Sequence, residues 1–270
     1  MDATVRVPSL AVRGGGTSAG ERTIPEETPV AMVYDGGAHA VMMATPADLE
    51  DFAVGFSLTE GVIPEAAAIA SLEAVEQADG IEIRMWLVAG RGAALAERRR
   101  RIAGPTGCGL CGIDSLAEAL RPVAQVGAGI VATSRDVMRA MADLAPRQAL
   151  NRETHAVHAA AFWHPGDGIV FVREDVGRHN ALDKLIGALA RAGIDGATGL
   201  LLLTSRVSVE MVQKAAVAGI ATLAAVSAPT SLAVRTAEAA GMTLVAVARR
   251  DGFEIFTRPD RIEGRIADVA

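Results

Sequence analysis

The chain has 270 residues, half of them apolar and only 3% aromatic, with a formal net charge of −6. That length suits one large domain, or a core domain with a smaller appendage. The acidic balance argues against a broad nucleic-acid-binding face, with Arg98, Arg99, Arg100 and Arg101 as a local exception. Residues 13–22, RGGGTSAGER, lack apolar periodicity, so residues 1–24 are expected to form a mobile arm or turn. Short strands are expected at 30–33 and 41–44, flanking the turn Asp35-Gly36-Gly37. Leu49, Phe52, Ala53 and Phe56 recur at helical spacing over 48–59, and Gly61 ends the helix. Ile83, Met85 and Leu87 alternate in a strand over 81–88. These elements predict a small α+β unit over 25–103.

Residues 104–270 read as an α/β core. Strands are expected at 168–173, 200–204, 222–226 and 244–248, and helices at 180–190, 208–218 and 229–240. Gly219 and Gly241 stop two of the helices and Pro229 starts one. Such alternation implies right-handed crossovers and a mostly parallel sheet. Ligands of these sheets gather beyond the carboxyl ends of the strands. No apolar run reaches about 18 residues and 1–10 carries no signal-peptide pattern, so a cytoplasmic protein without membrane contact is expected.

The chain has two cysteines, in Thr106-Gly-Cys-Gly-Leu-Cys-Gly112. Two close thiols in an otherwise cysteine-free protein suggest a reducing compartment and a chemical role. The glycines leave Cys108 and Cys111 uncovered, and Asp114-Ser115-Leu116 opens a helix just beyond, an environment that favours thiolate. Buried structural thiols, a zinc site completed by His155 and His158, and redox or sulfur-transfer chemistry all compete. The exposed, glycine-flanked pair favours the third. A zinc deaminase lacks its parts here: His158 follows the thiols instead of preceding them, and no glutamate stands two residues after it.

The densest polar stretch is Glu174-Asp-Val-Gly-Arg-His-Asn-Ala-Leu-Asp-Lys184, at a strand end. Its Arg178, His179, Asn180 and Lys184 are candidate ligands of an anionic group. Ser227-Ala-Pro-Thr230 is a strand-to-helix junction whose Ser227 and Thr230 could hold a phosphate, with Arg249 and Arg250 to neutralise it.

These motifs, together with Ser205-Arg-Val-Ser-Val-Glu-Met-Val-Gln-Lys214, resemble in type and order the formate dehydrogenase accessory sulfurtransferases, over about residues 25 to 262. The resemblance implies a cytidine-deaminase-like three-layer core without deaminase activity. It implies a homodimeric sulfur carrier that takes sulfur from a cysteine desulfurase and passes it to the bis(molybdopterin guanine dinucleotide) molybdenum cofactor before that cofactor enters the catalytic subunit of formate dehydrogenase. Cys108 would carry the persulfide and Cys111 would assist, with no metal of the protein's own. The cofactor-contacting stretch would be Val247, Ala248, Arg249, Arg250, Asp251 and Gly252, with His158 as a further contact. The family pattern Thr-Gly-Gly-x-His-Ala-Ala is departed from at His155 and Ala156. The alternatives are a non-catalytic chaperone of the cofactor and a generic dithiol oxidoreductase.

Overall fold

The computed structural model describes residues 1–88 and 123–264. The chain opens with an antiparallel hairpin, β1 (Thr4–Arg13) and β2 (Gly16–Pro25), paired from Thr4↔Pro25 to Arg13↔Gly16. The glycine-rich stretch is thus the turn and second strand of a ladder rather than an irregular arm. Both faces of the hairpin are largely exposed, so no apolar alternation marks it.

β3 (Thr28–Tyr34) and β4 (Gly37–Ala44) follow, joined through Asp35 and Gly36 at φ 49 and 77. Two consecutive positive φ values give the mirror-image turn that suits a twisted hairpin. With β5 (Ile69–Gln77) and β6 (Gly80–Leu87) they form a four-stranded sheet of order β4-β3-β6-β5. Helix α1 (Leu49–Thr59) lays Phe52, Ala53 and Phe56 on Val30, Met32, Ile81, Ile83 and Met85 of this sheet.

The larger body is a six-stranded sheet of order β13-β12-β11-β10-β8-β9, built from β8 (His158–His164), β9 (Gly168–Asp175), β10 (Leu200–Leu203), β11 (Thr222–Ala225), β12 (Thr243–Arg249) and β13 (Gly252–Thr257). Leu201, Leu203, Leu223, Ala225 and Leu244 face one core, against α4 (Arg178–Ala192), α5 (Val209–Val217) and α6 (Ser231–Ala239). Leu200, Leu202, Ala224 and Val245 face the other, against Val137, Ala140 and Leu144 of α2 (Ser134–Arg147). The alternation of neighbours along each strand between these cores is the two-residue period of a sheet buried on both faces. A short helix, α3 (Ala149–Thr154), leads from α2 towards β8. The parallel bridge pair β7 (Ala132–Thr133) and β14 (Ile262–Glu263) ties the start of α2 to the end of the described chain.

The mostly parallel sheet expected from the sequence needs correction. Only β10–β11 and β11–β12 are parallel, whereas β8–β9, β8–β10 and β12–β13 are antiparallel. The reason is two short hairpins, β8–β9 and β12–β13, since a connection of a few residues can only join antiparallel neighbours. The fold is mixed α/β.

The small sheet is fastened to the large one through α1 and α4. A Cβ on Gly55 would lie 1.7 Å from the Asp183 carbonyl oxygen, and one on Gly187 1.8 Å from that of Asp51. The two backbones therefore meet at distances that exclude any side chain. Around this crossing, Arg173 Nη2 reaches Asp51 at 2.7 Å and Arg191 Nη1 reaches the same carboxylate at 2.6 Å. Lys214 of α5 ties Asp183 (2.9 Å) to Glu60 (2.9 Å) at the end of α1. Among the described residues no helix is long and apolar enough to cross a membrane.

Candidate functional site

The carboxyl ends of β9, β10, β11 and β12 and the amino end of β8 share one edge of the large sheet. Local hydrogen bonds join them into a continuous rim. Thr204 Oγ1 accepts from Ala159 N (2.9 Å), Thr230 N donates to the Val207 carbonyl (2.9 Å), and Val247 N donates to the Ser227 carbonyl (3.4 Å). Helices α4, α5 and α6 all begin at this rim, with Gly177, Ser208 and Thr230 at their N-cap positions. Three positive helix ends on one edge favour an anionic ligand.

The rim brings together most of the residues expected from the sequence. His158 opens β8, Arg178 and His179 open α4, and Ser227 and Thr230 line the next junction. Thr230 Oγ1 accepts from Ala233 N at 3.2 Å, so its hydroxyl caps α6. Val247, Ala248, Arg249, Arg250, Asp251 and Gly252 form the end of β12 and its tight turn into β13, with Arg249, Arg250 and Asp251 exposed. Val247 has φ 52. A β-branched residue seldom adopts that conformation, and the strain is held by a register shift between Ala246 and Arg249.

Two expected ligands are corrected. Lys184 is fully buried, with Nζ 2.7 Å from Asp175 Oδ2 and donating to the Thr45 carbonyl at 2.9 Å. Asn180 donates from Nδ2 to the Met43 carbonyl (2.8 Å) and to Asp175 Oδ1 (3.0 Å). Asp175 also accepts from Thr45 N (2.9 Å) and Gly177 N (2.7 Å). These side chains clamp the segment after β4 to the start of α4, and have no reach left for a ligand. Their alternation with charged neighbours made a structural clamp look like part of an anion site. Glu174 is likewise committed: its carboxylate accepts from Leu150 N (2.8 Å) and Asn151 N (2.9 Å) at the start of α3.

What the clamp displays is Arg178 and His179. His179 faces Glu210 at the start of α5, beside Ser208, two residues that sequence reasoning passed over. His179 Nε2 lies 3.9 Å from Glu210 Oε2, and the two side chains are 14% and 12% exposed. Arg178 Nε, His179 Nε2, Ser208 Oγ and Glu210 Oε2 are buried atoms without a hydrogen-bond partner. The His179 imidazole pulls the Glu210 carboxyl down to about 2, so it is ionised at neutral pH. His158 is held below the usual histidine range by burial first, and then by its neighbours Arg178 and His179. The overlooked signal was an acidic residue in the first turn of a helix that begins at the ligand edge.

His155 occupies the left-handed region at φ 56, as the residue that ends α3. Glycine is favoured there, which gives a physical reason for the glycine pattern from which this sequence departs. The thiol loop with Cys108 and Cys111, and Arg98, Arg99, Arg100 and Arg101, lie outside the described residues.

Comparison with known proteins is decisive at this point. Residues 25–263 match the FdhD/NarQ family. The chain belongs to that family. It is 54% identical over 260 residues to the sulfur carrier protein FdhD of Agrobacterium fabrum, covering 95% of each chain. It is also 54% identical over 257 residues to the protein of the same name from Brucella abortus, covering 95% of this chain and 96% of that one. A crystal structure described as a candidate formate dehydrogenase accessory protein from Desulfotalea psychrophila superposes with a TM-score of 0.76 at 25% identity. That match covers 97% of this chain and all of the other. The FdhD/NarQ match takes in β3 through β14, so the whole rim lies within it, and only the hairpin β1–β2 precedes it.

Proposed function

We infer that this chain is a sulfur carrier and a formate dehydrogenase accessory protein. The observation that carries the reading is 54% identity to named sulfur carrier proteins along nearly the whole chain. The arrangement of the rim agrees with it: helix amino ends, exposed Arg249 and Arg250, and a strained Val247 surround a surface suited to a large polyanion. Strain of this kind persists where a local geometry is needed, and it falls within the stretch 247–252 assigned above to cargo contact.

In detail, the Cys108 thiolate attacks the outer sulfur of a persulfide on a cysteine desulfurase. A bond forms between Cys108 Sγ and that sulfur, the donor's S–S bond breaks, and the donor leaves as thiolate. Cys108 is then the persulfide. The Cys111 thiol then attacks Cys108 Sγ, the Cys108–Cys111 disulfide forms, and the outer sulfur leaves at the sulfide level to the bis(molybdopterin guanine dinucleotide) molybdenum cofactor, which is cargo, before that cofactor enters formate dehydrogenase. Cys111 assists. The rate of such exchange follows thiolate fraction and access, which the glycines on both sides of Cys108 favour. The cargo sits along the rim, with phosphates at Arg178, Arg249, Arg250 and the amides near Ser227 and Thr230. His158 and His179 flank it. Asn180 and Lys184 hold the rim in shape without touching the cargo.

The same reading takes the body as a cytidine-deaminase-like core over 104–270, with an appended unit over 25–103 and an amino-terminal arm over 1–24. The protein acts as a homodimer in the cytoplasm. Intact-mass measurement after incubation with a cysteine desulfurase and cysteine tests the chemistry. One added sulfur atom that maps to Cys108 and disappears in Cys108→Ala is the expected outcome. A Cys108→Ala protein that restores full formate dehydrogenase activity in a strain lacking the native carrier would refute the relay.

A further inference from the structure

The hairpin β1–β2 is a long ladder that no third strand joins among the described residues. Two strands without a third, or a body to pack on along their length, are marginally stable in water. The base of the hairpin is held, since Arg22 Nη2 donates to the Thr154 carbonyl of α3 at 3.3 Å. Further out, residues opposite one another share a face, so Leu10 stands beside Ala19 and Val12 beside Thr17. Leu10 is 66% and Val12 73% exposed, more than any other large apolar side chain among the described residues. A lone exposed apolar residue needs no explanation, but two of them at a spacing of two mark one whole face of the arm as apolar and uncovered.

A second uncovered apolar face lies on the four-stranded sheet. Helix α1 covers one side of that sheet, and the other side carries the exposed Val41, Met43 and Trp86. Ala31 and Pro29 stand opposite Val41 and Met43 and extend the patch across β3. Beside it Arg84 lies 2.8 Å from Glu82 and 3.8 Å from Glu73, so the acids there outnumber the base. The arm has the reverse balance, with Arg6, Arg13 and Arg22 against Asp2 and Glu21, and Arg6 shares the face of Leu10 and Val12. Tryptophan, methionine and arginine are residue types in which protein interfaces are enriched. Within one chain the two apolar faces leave each other open. A second copy supplies both covers at once: about a two-fold axis each arm reaches the other's sheet, and the contact closes as a pair.

We propose that β1–β2 is an exchange arm. In the homodimer its Leu10 and Val12 face lies on the outer face of the second copy's four-stranded sheet, at Val41, Met43 and Trp86, with its arginines against Glu73 and Glu82. This rests on the homodimer reading above and names the surface that makes the dimer.

Sedimentation velocity on the full-length protein, from about 1 µM to about 100 µM, tests it. Wild type is expected to be a dimer. Leu10→Glu with Val12→Glu on the arm, and Val41→Glu with Met43→Glu on the sheet, are each expected to raise the dimer dissociation constant by at least about 100-fold, because every substitution enters the interface twice. Far-UV circular dichroism like that of wild type shows that the variants fold. A photoreactive benzoylphenylalanine at position 10 gives a readout that needs no disruptive variant. Irradiation is expected to yield an adduct of twice the chain mass on a denaturing gel, mapping to β3, β4 or β6. An adduct within one chain, residues 89–122 included, or elsewhere on the second copy, overturns the exchange. So does either double variant that dimerises like wild type. A wild type that stays monomeric throughout removes the homodimer reading as well, whereas the sulfur adduct on Cys108, measured on the same preparations, decides the sulfur-carrier reading independently.

Discussion

Lys184 separates a structural clamp from a cargo ligand, and Lys184→Met puts the difference in measurable terms. Its ammonium is fully buried, 2.7 Å from an equally buried Asp175, and it also donates to the Thr45 carbonyl. Methionine keeps most of the volume but removes the charge. Asp175 would keep its bonds from Thr45 N, Gly177 N and Asn180 Nδ2, and lose its only cationic partner among the described residues. Removing one partner of a buried pair costs about 3–5 kcal/mol, mostly because the other charge is left uncompensated. In a protein of this size each kcal/mol shifts Tm by roughly 2–4 °C, so a fall of roughly 6–20 °C is expected. Circular dichroism melting measures it. Adding Asp175→Asn to Lys184→Met removes the stranded charge and should recover part of the loss, since a double substitution isolates the pairwise coupling. Should Lys184→Met melt like wild type yet bind nucleotide more weakly, the lysine is a ligand and the burial argument fails.

Gly187→Ala should destabilise the protein, although in an ordinary helix interior the change stabilises by about 1 kcal/mol. Its Cβ would sit 1.8 Å from the Asp51 carbonyl oxygen, so α1 and α4 must part, at about 1–3 kcal/mol or more; urea unfolding with a midpoint equal to or above that of wild type would contradict the contact. His155→Gly should stabilise by about 1 kcal/mol, because the left-handed conformation at φ 56 disfavours a side chain. A raised Tm is the readout, and a lowered one would mean that the imidazole makes a contact of its own. His158, depressed by burial and then by Arg178 and His179, should titrate below 6.5 by NMR. The unfolded chain then binds a proton before the folded one, so His158 draws stability down as pH falls from about 6.5 through its folded value; His158→Gln should flatten the stability profile in that window.

The sequence announced elements whose patterns are imposed by burial. Phe52 and Phe56 at helical spacing, and the apolar runs of β10 and β11, were legible because each faces a core. β1 and β2 were not, since a hairpin with two solvated faces has no apolar alternation to read. β8 hid for the opposite reason: Ala159, Ala160, Ala161 and Phe162 are all buried, so the run has no period at all. Missing β8 and β13 is what turned a mixed sheet into a supposedly parallel one. At the site, charge put Asn180 and Lys184 among the candidate ligands, whereas the structure buries both against Asp175. Charge and position along the chain do not reveal which face of α4 meets Thr45.

The same division explains how the rim works. Asp175, Asn180 and Lys184 face inward and fix the turn at Gly177, and Arg178 and His179, between them in sequence, stand at the helix start on the rim. α5 repeats the arrangement: Lys214 is buried against Asp183 and Glu60, and Ser208 and Glu210, one turn earlier, reach the rim. Each helix carries a buried lysine about one turn beyond its displayed residues, and both lysines lie over α1 aromatics, Lys184 at 5.8 Å from Phe52 and Lys214 at 5.9 Å from Phe56. α1 therefore sets the position of both helix starts at once. Loosening the Gly55–Gly187 contact would shift His179 and Glu210 together, because the groups that hold them both rest on α1. Damage at that crossing, far from any ligand, should reach the rim as altered geometry as well as lost stability.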